Sequence, residues 1–259
     1  MKPTHSIVLA SAFFAVVLVF STGVSAQAPA SAQSIFDSMI EALGGKAYLD
    51  VKEIQVTGRY FTFRRGNEIG GSEPYVDYIK FPDMERTEFG KEKDKRIVIN
   101  HGREGWKVTP PVKGKIPDIQ PQAAGETREF LDNFKTNFDY VPRFVVGTPK
   151  TTLVNAGTEL VEYKRTDILE VRDAQKNLMR IYVDRATHLP VKTQNRDADE
   201  SIVREEAYAN WHKFDGVMTP LMVVNYKDGV KVREIHAEKV VYNPGFSDSL
   251  FAAPPKPAK

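Results

Sequence analysis

The run SIVREEAYANWHKFDGVMTPLMVVNYKDGVKVREIHAEKVVY, residues 201–242, decides the fold class of this 259-residue chain. Apolar and polar side chains alternate with the period of a β-strand along three segments of it: 201–211, 217–226 and 230–242. Asp215-Gly216 and Asp228-Gly229 separate these segments, and such dipeptides favour tight hairpin turns. The run therefore predicts three consecutive antiparallel strands.

Similar strand patterns fill most of the remaining chain. A first strand starts at Glu53, and further candidates lie at 75–81, 84–89, 96–100, 106–109, 151–155, 160–172, 177–183 and 189–196. Short consecutive strands joined by turns are typical of an antiparallel sheet. Helices are needed to cover an apolar face of such a sheet. The sequence thus predicts an α+β, mainly β fold with one large antiparallel sheet.

Two segments have the period of an amphipathic helix instead. The first begins near Ser34, a candidate cap, ends at Gly44-Gly45, and places five apolar residues on one face: Ile35, Phe36, Met39, Ile40 and Leu43. The second, residues 126–146, is kinked or ended by Pro142 and carries an apolar stripe: Phe130, Leu131, Phe134, Phe138 and Val141. Such a stripe is typical of a core helix, and a lid over a cavity is the alternative interpretation.

The N-terminus has the parts of a cleavable secretory signal peptide. Lys2 supplies a positive charge, residues 7–20 are almost uninterrupted apolar, and Val24-Ser25 precedes a cleavage site after Ala26. An uncleaved anchor is the alternative, but the apolar run is shorter than the roughly 20 residues that span a bilayer. We therefore expect residues 1–26 to be removed and the protein to act in the periplasm.

Composition narrows the chemistry of the exported part. With no cysteine, the chain has no disulfide, thiolate metal site, cysteine nucleophile or lipid-modified cysteine. Lys and Arg number 36 against 34 Asp and Glu, so no overall field favours nucleic acid, and no nucleic-acid partner is expected. The sequence predicts one domain at 27–253, followed by a disordered Pro-rich tail at 254–259.

Motifs for catalysis or metal binding do not stand out in the sequence. The four histidines after the signal peptide have no metal-binding spacing: His101, His188, His212 and His236. No Gly-x-Ser-x-Gly nucleophile elbow is present. The acidic run at 197–200 is more typical of a solvated loop than of an acid–base pair. We expect no catalytic residue, no metal and no cofactor, and hence no enzyme.

Several strands carry large apolar side chains on both faces. The first strand has Tyr60 on one face and Phe61 on the other, and the 217–226 segment has Met222 against Val223. A half-exposed sheet would alternate cleanly. Either helices and other segments cover both faces, or one face lines a cavity for an apolar ligand, and the pattern alone leaves both interpretations open.

Three motifs of the C-terminal half, in this order and spacing, resemble the bacterial outer-membrane lipoprotein-sorting (LolA/LolB-like) superfamily, as a divergent member. The motifs are Tyr182-Val183-Asp184 with Thr187 and Leu189-Pro190-Val191-Lys192, then Phe214-Asp215-Gly216-Val217-Met218 with Pro220, then Asn243-Pro244 with Asp248-Ser249-Leu250-Phe251. The signal peptide, the first helix ending in Gly-Gly and the hairpin ending in Gly105-Trp106 agree with it.

The resemblance implies an incomplete antiparallel β-barrel of about eleven strands, whose helices plug an apolar concave face. Asp184 with Thr187 and Asp215-Gly216 would close turns, and Phe251 would pack the last strand against the core. The superfamily carrier latches its lid with an arginine for which no matching motif is found here. Arg59 is a candidate, although an exposed strand arginine is the simpler interpretation.

The implied function is that of a monomeric periplasmic carrier, which binds lipoprotein acyl chains or another lipid and exchanges them with inner- or outer-membrane transport proteins. One alternative is an envelope-stress or lipid sensor that uses the same fold to signal to a membrane partner. Another is an envelope hydrolase, which would need a polar cluster in the concavity.

The apolar wall of the concavity is predicted from strand alternation, where an error of one residue turns a whole set of side chains outward. The predicted ligand-binding residues are Ile54, Val56, Tyr60, Ile79, Phe81, Ile97, Ile99, Trp106, Ile181, Met222 and Val224.

Overall fold

The computed structural model describes residues 30–64, 67–111, 116–196 and 203–255. The predicted signal peptide, the predicted loop at 197–200 and the end of the predicted tail lie outside these residues. In the described part of the chain, no helix is both long and apolar enough to cross a membrane.

Among the described residues, thirteen strands form one antiparallel, unclosed sheet, which confirms the mainly β fold and is consistent with an incomplete barrel. The strands are β1 Glu53–Phe63, β2 Ile69–Lys80, β3 Met84–Phe89, β4 Arg96–His101, β5 Glu104–Thr109, β6 Asp118–Pro121, β7 Thr152–Val161, β8 Lys164–Arg172, β9 Leu178–Asp184, β10 Pro190–Arg196, β11 Val203–Phe214, β12 Val217–Lys227 and β13 Val230–Tyr242. Their order in the sheet is β6-β5-β4-β3-β2-β1-β13-β12-β11-β10-β9-β8-β7. Pairing of β1 with β13 joins the two halves of the chain.

The strand pattern differs from the expected one at two places. Asp118–Pro121 forms the edge strand β6 in a segment for which no strand was predicted. The break expected after Asn155 is a bulge inside β7, where the register shifts around Gly157. The chain turns later, at Glu162 and Tyr163, because both adopt the positive φ angles (47° and 64°) of a tight hairpin turn.

Helices lie against one face of the sheet. They are α1 (Ala32–Leu43), α2 (Lys46–Leu49) and α3 (Ala124–Lys135), with a π-helical turn at Val141–Val145. A 3₁₀ turn at Asp248–Phe251 lies on the opposite face. The sheet face that packs against α1 is called the inner face below, and the opposite one the outer face.

The sheet curls around α1. Ile79 on β2 and Leu169 on β8 both pack into the core cluster that contains the apolar face of α1. Strand β2 is fifth and β8 twelfth in the sheet order, so about 34 Å would separate them in a flat sheet with the usual strand spacing. A helix of 12 residues is only about 18 Å long. Both strands can reach it only if the sheet is strongly curved.

The first helix confirms the sequence pattern. Its five predicted core residues are all buried. Its cap is Ser31 rather than Ser34, since the Ser31 hydroxyl accepts a hydrogen bond from the Ser34 amide at 3.0 Å. Gly44 ends it at a φ of 125°, where a Cβ atom would lie 2.4 Å from the Gly216 carbonyl oxygen. The close approach seats α1 on the β11–β12 hairpin.

The second predicted helix is shorter than expected. Helix α3 ends at Lys135, and the chain then makes a turn before the π-helical segment. Asn137 stabilises the interruption, because its side-chain oxygen accepts from the Tyr140 amide at 2.8 Å. Pro142 lies at the start of the π-helical segment, where proline is tolerated. Residues 124–146 are called the lid below.

The C-terminal segment covers part of the outer face. Phe251 is fully buried and its ring lies 6.0 Å from that of Phe246, which in turn lies 5.6 Å from Tyr78 of β2. Arg86 of β3 donates to the Leu250 carbonyl oxygen at 3.4 Å. Phe251 therefore packs over the N-terminal strands of the sheet rather than on the last strand.

Candidate functional site

The structure brings six of the eleven predicted wall residues to the inner face. Ile54 and Ile181 are buried in the main core, with three partly buried residues packed against it: Val56, Ile79 and Phe81. Tyr60 follows on the same face of β1 and contacts the Phe89 ring at 5.2 Å. These residues form one continuous surface beneath the helices.

The other five lie on the outer face: Ile97, Ile99, Trp106, Met222 and Val224. Tyr78 points outward because the next residue, Ile79, points inward. Cross-strand partners share a face, so Arg86, the partner of Tyr78, and Ile99, the partner of Arg86, also point outward. On β12 the inward residue is Val223, which pairs with Ile235 and packs against the main core. These strands carry apolar residues on both faces, so the alternation in the sequence did not show which face of each strand points inward.

The lid covers the inner face through a cluster of aromatic rings. Phe81, one of the predicted wall residues, lies 5.7 Å from Phe134 and 5.3 Å from Phe144 of the lid, measured between ring centroids. Phe130 and Tyr140 extend the cluster, at 5.2 Å from Phe134 and 4.8 Å from Phe144. Phe144 is 37% exposed, so solvent reaches the cluster. Tilted ring pairs at these distances are favourable but not rigidly directional.

A buried arginine attaches the lid to α2. The Arg143 side chain is 1% exposed, and its Nε donates to the Tyr48 carbonyl oxygen at 2.9 Å. Its guanidinium lies 3.8 Å from the centroid of the Tyr48 ring and 3.1 Å from the Asp139 carboxylate. The sequence-based candidate Arg59 is instead exposed and donates to the Ser72 hydroxyl at 2.6 Å. The arginine that holds this lid comes from the lid itself.

A narrow cleft of about 20 Å³ lies beside the C-terminal half of the lid. Its apolar lining is Val141, Val145, Val171, Leu178 and Met179, and its polar rim includes Lys135, Thr136, Asn195 and Arg204. The volume is far below the usual range for small-molecule sites, which is about 300–1,000 Å³. With the lid in place, an apolar ligand has a mouth beside the lid but little free depth, since α1 side chains fill the core.

Beyond the apolar wall, the inner face carries carboxyl groups that the sequence pattern did not single out. Asp77 of β2 accepts a hydrogen bond from the Thr87 hydroxyl at 2.9 Å. Glu85 of β3 lies diagonally across from Asp77, since its direct partner is Ile79. Burial raises the pKa of Asp77 to about 6 and that of Glu85 to about 8, while the positive charge of Arg233 opposes both shifts. These carboxyl groups could have been found in the sequence as polar residues at strand positions that alternate in step with the inward apolar residues.

A second polar group continues across β11 to β13. Glu206, Asn225 and Arg233 are successive cross-strand partners on the inner face. The Tyr208 hydroxyl donates to the Glu206 carboxylate at 2.9 Å and lies 2.8 Å from the Thr193 hydroxyl. Burial raises the pKa of Glu206, and Arg233 again opposes the shift. The inner face therefore carries buried polar groups as well as the apolar wall, and two of the carboxyls pair directly with wall residues, Asp77 with Val56 and Glu85 with Ile79.

Three solved structures have the same fold as this chain. A DUF1329 family protein from Desulfovibrio piger has a TM-score of 0.56 and 15% identity, over 85% of this chain and 97% of its own. A LolA superfamily protein from Nitrosomonas europaea has a TM-score of 0.54 and 15% identity, over 86% of this chain and 98% of its own. A putative outer membrane lipoprotein-sorting protein domain from Vibrio parahaemolyticus has a TM-score of 0.52 and 12% identity, over 85% of this chain and 97% of its own.

No protein-family model and no curated protein sequence matches the chain. At sequence identities of 12–15%, the structural similarity shows a shared fold and nothing more specific. The fold implied by the three sequence motifs is thereby confirmed, although the described residues form thirteen strands rather than the expected eleven or so.

Proposed function

We propose that this chain, which has the fold of the lipoprotein-sorting proteins, is a periplasmic carrier that binds an acyl chain of a lipid or lipoprotein on its inner face. The predicted signal peptide supplies its export, and the absence of cysteine leaves it without a lipid anchor of its own. The proposal involves no catalytic step: binding transfers apolar surface out of water.

The observation that carries the proposal is the lid. It packs on the inner face through aromatic rings, chiefly Phe81 against Phe134 and Phe144. Arg143 ties it to α2, and side chains of the sheet also hydrogen-bond to it, among them Asn195 to the Thr136 carbonyl oxygen. These contacts are separate from the strand pairing, so the lid can move aside without breaking the sheet, and an acyl chain can then replace the rings against the same wall.

The energetics suit a carrier that must also release its cargo. Burial of apolar surface contributes about 25 cal/mol per Å², so part of an acyl chain supplies several kcal/mol. The wall residues under the lid, such as Val56 and Ile79, offer no hydrogen bonds to a hydrocarbon. Non-directional contacts of this kind hold a chain without fixing its position, which favours transfer to an acceptor.

The direct test is to express the full chain in a Gram-negative host, purify the exported protein from the periplasm, and identify co-purifying lipid by mass spectrometry. An apolar fluorescent probe should bind with blue-shifted emission and be displaced by fatty acid. A protein that carries no lipid, binds no probe and is not labelled by a photoactivatable fatty acid would refute the carrier function.

A strip of exposed apolar side chains, where β1 ends and β2 and β13 begin, favours a second candidate, the sensor that signals to a membrane partner. Phe63 pairs with Ile69, which is 61% exposed, and Val230 and Val232 on the neighbouring β13 are also exposed. Exposed apolar strips of this kind mark protein contacts. The Ile69→Lys and Val232→Lys double variant would then lose signalling but keep lipid binding, whereas a carrier would keep both its lipid and its transfer activity.

A further inference from the structure

One buried hydroxyl group next to the lid has no partner. Tyr48 is 2% exposed, and among the described residues its Oη atom makes no hydrogen bond. By contrast, the hydroxyls of the inner-face residues Tyr208 and Tyr242 lie 2.8 and 2.6 Å from threonine hydroxyls. Burial raises the pKa of Tyr48 far above its usual value, so the group keeps its proton and remains a donor. A buried donor without an acceptor is unfavourable, which points to an acceptor from outside the chain.

The same place holds a cation whose donors are not all used. The Arg143 guanidinium lies over the Tyr48 ring, 3.8 Å from its centroid. Its Nε donates to the Tyr48 carbonyl oxygen, and its Nη1 donates to the carbonyl and carboxylate oxygens of Asp139. In the described part of the chain, Nη2 donates to no oxygen atom. The guanidinium and the Tyr48 hydroxyl are therefore neighbouring donors that both have room for an acceptor.

The carboxylate that Arg143 does contact is exposed. The Asp139 side chain is 48% exposed, against 1% for that of Arg143. Both residues belong to the lid, so their ion pair does not fasten the lid to the rest of the protein. The Asp139 carboxylate can turn into water, provided that another anion takes its place beside the buried guanidinium, because a buried charge that loses its partner is strongly destabilising. The position is reached from solvent on the side of Asp139.

We propose that Arg143 and Tyr48 form the headgroup site for the carboxylate of a fatty acid, which replaces the Asp139 carboxylate beside the guanidinium and accepts a hydrogen bond from the Tyr48 hydroxyl. The proposal rests on the carrier function and names its ligand class. A carboxylate has two acceptor oxygens, so it can accept from the guanidinium and the hydroxyl together. An ammonium has no acceptor, and an alcohol offers a single neutral oxygen.

The apolar wall begins beside this headgroup site. The Phe81 ring centroid lies 5.6 Å from the Arg143 guanidinium carbon and 5.7 Å from the Phe134 centroid. Phe134 belongs to α3, whereas Arg143 lies in the π-helical turn beyond the interruption. Helix α3 can therefore move while Arg143 stays in place. The acyl chain then takes the place of the Phe134 ring against Phe81 and continues over the wall.

The test compares three ten-carbon ligands on the full-length exported protein: decanoate, decanol and decylammonium. Each is titrated at neutral pH against a bound apolar fluorescent probe. An apolar wall alone would favour decanol, because a charged headgroup has to leave water. With the headgroup site we expect the opposite order, in which decanoate binds about tenfold more tightly than decanol through its charge-assisted hydrogen bonds. Decylammonium should bind most weakly, since Arg143 repels it.

Variants separate the headgroup site from the lid. Tyr48→Phe removes only the unpaired hydroxyl, so its melting temperature and its affinity for decanol should match those of the wild type. Its affinity for decanoate should fall about threefold with the lost hydrogen bond. Arg143→Met should reverse the order and make decanol the tighter ligand, whereas the exposed control Arg128→Met should keep the wild-type order. Asp139→Asn removes the competing carboxylate and should strengthen decanoate binding.

The outcomes distinguish the headgroup site from the carrier function. If the wild-type protein binds decanol as tightly as decanoate or more tightly, the headgroup site is overturned, while the carrier function stands because the alcohol and the probe still bind. A preference for decanoate that survives in both Tyr48→Phe and Arg143→Met places the anion elsewhere and also overturns the site. A protein that binds neither the probe nor any of the three ligands refutes the carrier function itself.

Discussion

Arg143 of the lid donates from Nε to the main-chain carbonyl of Tyr48, 95 residues earlier in the chain, and its guanidinium lies 3.8 Å from the centroid of the Tyr48 ring. The contact joins the lid to the short helix that follows α1. It is made by a charged group whose side chain is almost completely buried. Such a charge is stable only while its partners stay in place, so this contact is specific, whereas the ring contacts that also hold the lid are not.

Replacement of this arginine should loosen the lid. For Arg143→Met we expect the lid to lose about 1.5–3 kcal/mol of attachment, the range for hydrogen bonds to charged groups. Amide hydrogen exchange should accelerate in residues 124–146, and an apolar probe should bind faster. Arg128→Met, an exposed position on α3, is the matched control and should resemble the wild type. Unchanged exchange in the lid of Arg143→Met would mean that its other contacts hold the lid without this arginine.

The two tryptophans report on opposite faces of the sheet. Trp211 packs against the main core on the inner side and lies 6.2 Å from the Tyr208 ring, whereas Trp106 lies outward beside Ile99. We expect an acyl ligand to shift the emission of Trp106→Phe, in which only Trp211 fluoresces. Trp211→Phe should show no shift. A response from Trp106 instead would place the ligand on the outer face.

Adjacent residues of β12 allow a strict test of which face binds. Val223 lies inward and Met222 outward, although the sequence assigned Met222 to the wall. Val223→Gln should raise the Kd of an apolar probe about tenfold, since it removes burial worth about 1.5 kcal/mol. Met222→Gln should change the Kd by less than about twofold because it touches no ligand. Comparable losses from both variants would contradict the assignment of the inner face.

Stability should fall as pH rises from 5 to 8. Burial raises the pKa of Glu85 to about 8, above its value of 4.5 in an unfolded chain, despite the opposing charge of Arg233. In this window the folded protein therefore retains a proton that the unfolded chain releases, and the free energy of unfolding decreases with pH. Asp77, which hydrogen-bonds to Thr87, contributes in the same direction up to about pH 6.

Glu85→Gln removes the larger of these two effects. Its melting temperature should fall less than that of the wild type between pH 5 and pH 8, as measured by circular dichroism. Asp77→Asn should flatten the dependence of the melting temperature on pH only up to about pH 6. If Glu85→Gln follows the wild-type slope over the whole range, the Glu85 carboxyl is ionised in the folded protein.

Much of the fold follows from local chemistry. In α1, all five predicted core residues are buried, because a helix repeat places them on one side whatever surrounds it. Asp215 and Gly216 adopt positive φ angles in the expected hairpin. Asp184 accepts from the Ala186 amide at 2.9 Å and the Thr187 hydroxyl at 3.1 Å, as the turn motif implied. Each of these depends on residues close in sequence.

Only the tertiary structure decided which strand faces meet the lid. Ile97, Ile99 and Trp106 have the same apolar character as Ile54 and Ile79, yet the C-terminal segment covers their face while α1 covers the other. Since both faces of these strands are covered, the apolar character of a residue does not show which face it lies on, and an error of one residue in register reverses the assignment. The latch by Arg143 and the encounter of Asp77 and Glu85 with Arg233 are also long-range: they exist because the sheet curls, which the sequence pattern does not encode.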